Sequence, residues 1–551
     1  MGLQKSKTDI WKVYSFVIIG LFLLFLIFPM GSMLRQAVLD SDGNFTIEHF
    51  QRFFGHRYYM STLMNSVRTT VAVTAVSLIL GISFAYIYTF YQLKGSRLLY
   101  ILAILCCMSA PFIGAYSWIL LMGRSGLITV FLRTYLGINI GSIYGFSGIV
   151  LVQSLKFFPL VFIYMIGAFR SIDNSLIEAA DNLGCTGINR FFKITLMLSM
   201  PTILAATLLV FMRAFADFGA PLLIGEGYRT FPVEIYRQYL GERGGNYNFA
   251  AAISVIAVVI TALIFFIQKY ALSKFNFSIN ALNPIQRKKP RGLFGLLSHA
   301  YAYILVLVAF MPQVYVIYTS FRNVNNWLFA PGYSLVSYRA MMERMALRSI
   351  TNTLLIGGGS LLLIILFASI IAYLVVRRKS ILNNTIDVLS MLPFIIPGSV
   401  VAIALVIAFS TRPLALTGTM SIMVIALCIR RLPYTIRSSV ATLKQIPMST
   451  EEASISLGAS KMATFFKVTV PMMSKGIIAG AILSWVAIIT ELSTAIILYS
   501  NRSITLTLST YIAVTRGTFG TAAAFATILT VLTIISMLIY MKISKSEDMK
   551  L

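Results

Sequence analysis

The sequence predicts an all-α polytopic membrane protein, with about twelve transmembrane helices arranged as two tandem six-helix repeats. Three observations carry this expectation. Hydrophobic residues make up 58% of the 551 residues and charged residues only 11%, with a mean hydropathy of +0.84; a water-soluble core of this size cannot absorb so much apolar surface. The apolar residues gather in runs of about 18 or more, the length that crosses the hydrocarbon core of a bilayer. The second half of the chain also repeats the first, in a register that holds without a gap from about 150 to 217.

The first run, 13–34, follows Lys5, Lys7 and Lys12. It is long for a signal peptide and no A-x-A site follows, so it reads as an uncleaved first span with a cytoplasmic N-terminus. Spans follow at 66–90, 98–122, 146–169, 194–216 and 249–270, then at 296–319, 351–376, 386–410, 419–438, 472–498 and 521–541. A basic stretch, "NPIQRKKPRG" from Asn283 to Gly292, separates the two sets of six. The expected organisation is therefore a first unit at 1–275, a basic cytoplasmic linker at 276–292 and a second unit at 293–551. Because six is even, the units run parallel and both termini lie in the cytoplasm.

Charge supports this orientation. The net charge of +27 raises nucleic-acid binding, but Lys and Arg collect in the cytoplasmic loops of membrane proteins as a matter of course, and no nucleic-acid partner is expected. Lys94 and Arg97, the group Lys269, Lys274, Arg287, Lys288, Lys289 and Arg291, and the run Arg377, Arg378 and Lys379 fall in predicted inner loops without an acid. Outer loops are balanced: Asp40, Asp42 and Glu48 against Arg35, Arg52 and Arg57, and Glu226, Glu234 and Glu242 against Arg229, Arg237 and Arg243. Cys106, Cys107, Cys185 and Cys428 fit neither a zinc nor a disulfide spacing, and His49, His56 and His299 do not gather into a metal site.

The repeat has a register. An offset of 274 carries Lys156 onto Arg430, Pro159 onto Pro433, Ser175 onto Ser449, Glu178 onto Glu452, Ala179 onto Ala453, Gly184 onto Gly458 and Asp217 onto Glu491. Upstream the offset is 287, carrying Asn65 onto Asn352 and Ala85-Tyr86 onto Ala372-Tyr373. Parallel repeats of this kind suggest a pathway at their interface.

Each half interrupts its apolar sequence with a polar insert between its fourth and fifth spans: "IEAADNLGCTGINRFFK" at 177–193 and "EEASISLGASKMATFFK" at 451–467. Ser175 and Ser449 precede Glu178 and Glu452 by three residues, the capping-box spacing that starts a helix. Small residues follow (Ala179 and Ala180; Ala453), then Leu and Gly, and glycine permits a sharp change of direction. Each insert reads as a short surface helix, a turn and a second short helix, with small residues that let another surface pack closely.

These inserts resemble the hallmark loop of the integral permeases of ATP-binding-cassette importers, which reads E-A-A, three residues, G, and then a stretch ending near a proline. "EAADNLG" fits with all three leading letters; "EASISLG" has Ser454 at the third. The second copy keeps the expected Pro471, while the first has Met197 there and Pro201 four residues later. The resemblance covers essentially the whole chain. It implies the type I importer permease fold, in a bacterial cytoplasmic (inner) membrane. It also implies two copies of an ATPase subunit docked on the two loops and an extracytoplasmic substrate-binding protein that delivers cargo. Ser175, Glu178, Ala179, Ala180 and Gly184, with Ser449, Glu452, Ala453 and Gly458, would then couple to the ATPase. The chain has no G-x-x-x-x-G-K-[ST] loop, so ATP and Mg are expected on the partner subunits, with no cofactor, resident metal or catalytic residue in this chain.

Charges within spans are costly, about 2.5–3.5 kcal/mol each on insertion scales, and so tend to be functional. Lys156 and Arg430 fall mid-span at equivalent positions; Asp217 and Glu491 fall along spans five and eleven; Arg213 lies one turn before Asp217 and breaks the symmetry, its counterpart being Ala487. They either pair to hold the bundle or line the translocation pathway, or do both in turn. The segment Gly225–Asn248 reads as a docking surface, a gate or an ordinary amphipathic loop.

"ADFGAPLLIG" and "TELSTAIIL" resemble the group that includes ferric-iron, thiamine and aminoethylphosphonate or sugar-phosphate importers. Ferric iron is the cargo expected first, since Asp217 and Glu491 would suit a hard cation; Lys156, Arg213 and Arg430 would suit a phosphonate or phosphate. Three other classes compete: an ion-coupled secondary transporter, which the paired inserts disfavour; a membrane enzyme, for which no nucleophile constellation is found; and an exporter permease, which generally lacks this loop.

Overall fold

The computed structural model describes residues 10–40, 42–108, 111–139, 141–241, 246–274, 283, 285–325, 328–343 and 346–544. Lys5, Lys7, Glu242, Arg243, both chain ends and part of the expected linker (276–282 and 284) lie outside them. Each predicted stretch contains helix, but 98–122 is divided between Ser96–Met108 and Pro111–Met122, and 472–498 leaves the helix after Ile489. Among the described residues nine helices are long and apolar enough to cross a membrane, or eleven if each of two bent pairs is one span. The tenth predicted span is the helix Met420–Gln445, whose apolar run is interrupted by Arg430 and Arg431.

Two compact units result, and their composition cuts across the sequence repeat. Of the described residues, one comprises those in 10–52, 235–258 and 323–544; the other comprises those in 53–234 and 259–322. The first span of each half has thus been exchanged into the unit built mainly from the other half. In the first of these units the span Ile10–Ala37 places Trp11 on Tyr373 and Phe465, with ring centroids 4.4 and 5.1 Å apart. Ser15 Oγ donates to Asn383 Oδ1 at 2.7 Å, and Phe25 and Phe28 pack on Phe409. In the second unit the helix Gly292–Ser320 takes the corresponding place. Tyr301 and Ser83 share a hydroxyl hydrogen bond of 2.6 Å, Tyr303 Oη donates to Lys94 O at 2.6 Å, and Phe294 packs on Tyr91.

Each unit is centred on two long helices. Arg57–Phe90 packs against Phe146–Arg170, and Ala346–Arg377 against Met420–Gln445. Small residues set the approach: a Cβ on Gly81 would fall 2.8 Å from Phe158 O, closer than any side chain tolerates, so this crossing needs glycine. Pro159 and Pro433 sit inside the second helix of each pair at the same repeat position.

Three further features depart from the sequence expectation. The ninth span, 386–410, is broken into Ile381–Ile395 and Gly398–Phe409, inclined by 110°. Pro397 and Gly398 stand at the break, and proline cannot supply the donor that a continuous helix needs there. The fifth span is bent by 75° between Gly187–Leu198 and Met200–Phe215, whereas its counterpart Lys461–Ile489 runs on. The displaced proline is the reason: Pro201 starts a new helix, while Pro471 enters at the second position of Val470–Ile489. The fold is also not purely helical, since Arg322–Asn325 and Leu328–Tyr333 pair as a short two-stranded sheet.

Trp11 carries much of the hold on the exchanged first span. Trp11→Ala is expected to lower stability by about 3–5 kcal/mol, read as a fall in the melting temperature of the detergent-solubilised protein; Phe16→Ala, an exposed position, should leave it unchanged.

Candidate functional site

The first polar insert folds as the helix Asn174–Asn182. Its start differs from the capping box expected of Ser175. Asp173 is the cap, its Oδ1 accepting from Ser175 N at 2.9 Å and from Ser175 Oγ at 2.7 Å. An anionic side chain at this position meets the unsatisfied N–H groups better than a hydroxyl two residues further on. Glu178 accepts from Asn174 Nδ2 at 2.6 Å and is otherwise exposed. The helix ends in a Schellman turn: Gly184 N donates to Asp181 O and Cys185 N to Ala180 O, at 3.1 and 2.9 Å. Gly184 has φ +78°, a conformation that strains any side chain.

The second insert repeats the turn. After the helix Ser449–Ser456, Gly458 N donates to Ile455 O and Ala459 N to Ser454 O, with Gly458 at φ +91°. Ser449 likewise does not cap; the helix begins after Met448 without a side-chain cap, and Glu451 and Glu452 in its first turn meet the positive end of the dipole instead. Ala179 and Ala453 face outward beside the two glutamates. The turns leave Leu183 and Leu457 86% and 90% exposed. Both inserts then run into a π-helical turn, Phe191–Thr195 and Phe465–Thr469, at repeat-equivalent positions.

The two turns are anchored by different chemistry. In the first, Ile177 is buried and Arg190 makes a 2.6 Å ion pair with Asp181. In the second, Glu451 takes the place of Ile177 and is buried between Arg377 Nε, 2.9 Å away, and Tyr373 Oη, 3.2 Å away. Arg377 Nη2 also donates to Ile446 O at 2.7 Å. The Asp181–Arg190 pair is replaced by hydroxyls, Ser454 Oγ and Thr464 Oγ1 at 3.1 Å. The repeat alignment, which runs through Glu178 and Glu452, gives no sign of Glu451; the signal available is a second acid in an insert whose first copy has isoleucine.

The intramembrane charges meet inside each unit. Lys156 Nζ lies 3.5 Å from Asp217 Oδ2, and Arg430 Nη1 lies 2.6 Å from Glu491 Oε1. Arg431, which the repeat pattern does not single out, also pairs with Glu491. The acids do not lie along spans as expected. Asp217 stands between Met200–Phe215 and the short helix Gly219–Ile224, and Glu491 between Val470–Ile489 and Ala495–Leu498. Each stands just past the end of its span and accepts from the backbone that leads into the next short helix: Asp217 Oδ1 from Gly219 N at 3.1 Å, and Glu491 Oε1 from Thr494 N at 3.2 Å. Arg213 lies in the last turn of Met200–Phe215, one turn before the acid. A Cβ on Gly398 would strike Arg430 and Ser493, so the break in the ninth span also serves this cluster.

The backbone beyond each break is tethered by repeat-equivalent residues. Asn65 Nδ2 donates to Arg229 O at 3.1 Å, and Ser66 Oγ accepts from Phe231 N at 2.7 Å. Asn352 Nδ2 donates to Arg502 O at 2.9 Å, and Thr353 Oγ1 accepts from Leu506 N at 2.9 Å. Within Gly225–Asn248, the residues Phe231 to Ile235 are buried and Glu234 accepts from Tyr58 Oη at 2.8 Å, so this part is packed structure rather than a free loop.

Residues 77–276 and 364–546 match the family described as binding-protein-dependent transport system inner membrane component. The chain belongs to that family. It is the multi-pass integral permease of an importer, in tandem form. Over 533 residues, 95% of this permease and 76% of the relative, it is 28% identical to the ferric transport system permease protein FbpB of Actinobacillus pleuropneumoniae. Over 250 residues, 45% of this permease and 87% of the relative, it is 24% identical to the putative 2-aminoethylphosphonate transport system permease protein PhnU of Salmonella choleraesuis. A chain of a bacterial ABC transporter involved in importing the acidic polysaccharide alginate superposes with a TM-score of 0.40 at 20% identity, covering 48% of the permease and 96% of that chain.

Arg377→Met leaves Glu451 buried without its base and is expected to cost about 3–5 kcal/mol. Arg377→Met combined with Glu451→Gln should recover at least half of that loss, since no charge is then stranded. Thermal unfolding of the solubilised permease measures both.

Proposed function

We propose that this permease forms the cargo pathway of an ATP-driven importer and couples to two ATPase subunits, one on each polar insert. The observation that carries the proposal is the pair of Schellman turns at repeat-equivalent positions, each presenting a fully exposed leucine, Leu183 or Leu457, beside an exposed glutamate, Glu178 or Glu452. An apolar side chain held outward on a rigid turn is what a docking cleft takes up, and the duplication gives two equivalent sites. Ser175, Ala179 and Gly184, with Ser449, Ala453 and Gly458, shape the two docking surfaces, while Ala180 is buried and holds the first helix from beneath. The inserts face the cytoplasm, as do both termini, and the basic stretch 276–292 joins the permease units 1–275 and 293–551 on that side. An extracytoplasmic binding protein delivers cargo at the opposite face. ATP and Mg belong to the ATPase subunits.

The cargo we propose is ferric iron. The support is the named function of the relative that aligns with nearly the whole chain, against the phosphonate relative that aligns with about half. Lys156, Arg213, Asp217, Arg430 and Glu491 belong to the pathway. Movement passed from the docked inserts reaches them through the fifth and eleventh spans, which run from the inserts to Asp217 and Glu491.

The test is co-purification with the ATPase encoded beside this permease, followed by ATP hydrolysis with and without the binding protein. The wild type should retain two ATPase subunits and show hydrolysis stimulated by the binding protein. Leu183→Asp with Leu457→Asp should reduce retention by about ten-fold or more, the effect of about 1.4 kcal/mol or more of docking energy. Glu178→Ala with Glu452→Ala should lose the stimulation. A chain that binds no ATPase and moves solute on an ion gradient would contradict the proposal.

A further inference from the structure

The segment that joins the two halves of the chain is bound to the first polar insert. Asp173 divides its carboxylate between two backbones: Oδ1 accepts from Ser175 N at 2.9 Å, and Oδ2 accepts from Asn283 N at 3.0 Å. Asn283 O in turn accepts from Asn174 N at 3.0 Å, which satisfies one of the donors that the start of a helix leaves over. Asn174 carries the contact onward, since its Nδ2 donates to Glu178 Oε1 at 2.6 Å. A chain of hydrogen bonds thus runs from the joining segment to the glutamate beside the first exposed leucine.

The same segment is fastened further along. Lys288 N donates to Phe90 O at 2.9 Å, and Lys288 O accepts from Gln92 N at 3.0 Å. Gln92 Nε2 donates to Arg287 O at 3.2 Å. The Arg287 guanidinium lies 5.3 Å from the centre of the Tyr88 ring, within the range of a cation–π contact, and Ile285 packs on the core of this unit. Residues 285–291 then lead into Gly292–Ser320. That helix holds the backbone beyond Gln92: Lys94 N donates to His299 Nε2 at 3.3 Å, and Lys94 O accepts from Tyr303 Oη at 2.6 Å. One short stretch of backbone therefore ties the end of Arg57–Phe90, the start of Gly292–Ser320 and the first insert to one another. The second insert is built differently. The offset of 274 places Pro447 and Met448 where the first insert has Asp173 and Asn174. Neither side chain carries a carboxylate or an amide, so neither can repeat these bonds.

Contiguous hydrogen bonds and rigid helices carry energetic coupling between sites. We propose that the joining segment is a strap that positions Glu178 for its ATPase subunit, with Asp173 and Asn174 as the positioning residues. The two docking sites are for this reason unequal. The first is tied through the strap to Arg57–Phe90 and Gly292–Ser320, whereas the second is anchored through Glu451 on Arg377. The inference rests on the reading of the two inserts as docking sites.

The experiment is ATP hydrolysis by the permease reconstituted with its ATPase, with and without the binding protein, alongside the melting temperature of each variant. Asp173→Asn keeps an oxygen for one of its two backbone donors and sets an amide N–H against the other. Asp173→Ser keeps a capping oxygen and is too short to serve both backbones. Asn174→Ala leaves the Asp173 bonds in place and removes the hold on Glu178. Each should lower the stimulation by the binding protein about two-fold or more, the loss of one hydrogen bond to a charged group, with two ATPase subunits still co-purifying. Met448→Ala, at the place of Asn174 in the second insert, should leave the stimulation at the wild-type level. Wild-type stimulation in Asp173→Asn and Asn174→Ala overturns the strap and leaves the docking reading standing. An equal fall in Met448→Ala overturns the inequality of the two sites, and a fall confined to variants that have lost thermal stability is a folding effect that overturns the positioning role. A wild type whose hydrolysis ignores the binding protein overturns the importer reading, and this inference with it.

Discussion

A carboxylate buried at membrane depth needs a base beside it, and that requirement fixes where a span of each unit stops. Asp217 and Glu491 each take a base from the neighbouring helix, Lys156 or Arg430, and direct another oxygen contact to the backbone N–H that opens the next short segment. One side chain therefore both ends a helix and binds it to its neighbour. The surrounding residues are arranged around this demand. Pro159 and Pro433 lie three positions after the base and loosen the helix near it. Gly398 leaves room for Arg430, and Asn65 and Asn352 hold the backbone that the break sets free.

The polar inserts obey a different logic. Their outward geometry is the same in both copies, with a glycine at positive φ and a leucine held in the open, but their inward anchors differ. One copy is held by a buried isoleucine and an Asp181–Arg190 pair whose arginine is largely buried; the other is held by a buried Glu451–Arg377–Tyr373 cluster. The shape a partner would meet has been kept while the means of holding it has changed. Buried ion pairs add little net stability over well-packed apolar contacts but are costly to break singly, so the second insert is the less tolerant of substitution at its base.

Much of this was legible in the sequence. Apolar run length located the helical segments but not the division of 98–122 or the end of the eleventh at Ile489, and the offset of 274 brought out the two inserts, their glycines and the paired acid and base positions. The sequence left open whether those charges pair or line a pathway; the structure pairs Lys156 with Asp217 and Arg430 with Glu491. What was not legible depended on contacts between distant residues. Apolar spans look alike to hydropathy, so nothing in the run 13–34 revealed that Trp11 packs on Tyr373 and Phe465 and that first spans are exchanged. Asp173 displaced Ser175 as cap because it lies one turn-entry earlier and carries charge. Glu451 and Arg431 escaped because a repeat alignment favours what the halves share, and these residues matter where the halves differ.

The double-mutant cycle at Lys156 and Asp217 tests the central claim most directly. The stability of the solubilised permease is measured for Lys156→Met, Asp217→Asn and the two together. If the buried pair holds the break, Lys156→Met alone costs about 3–5 kcal/mol, Asp217→Asn alone costs less because the amide oxygen still accepts from Gly219, and the double variant recovers at least half of the loss. If the two effects simply add, the residues are independent, and the break is held by something other than the ion pair.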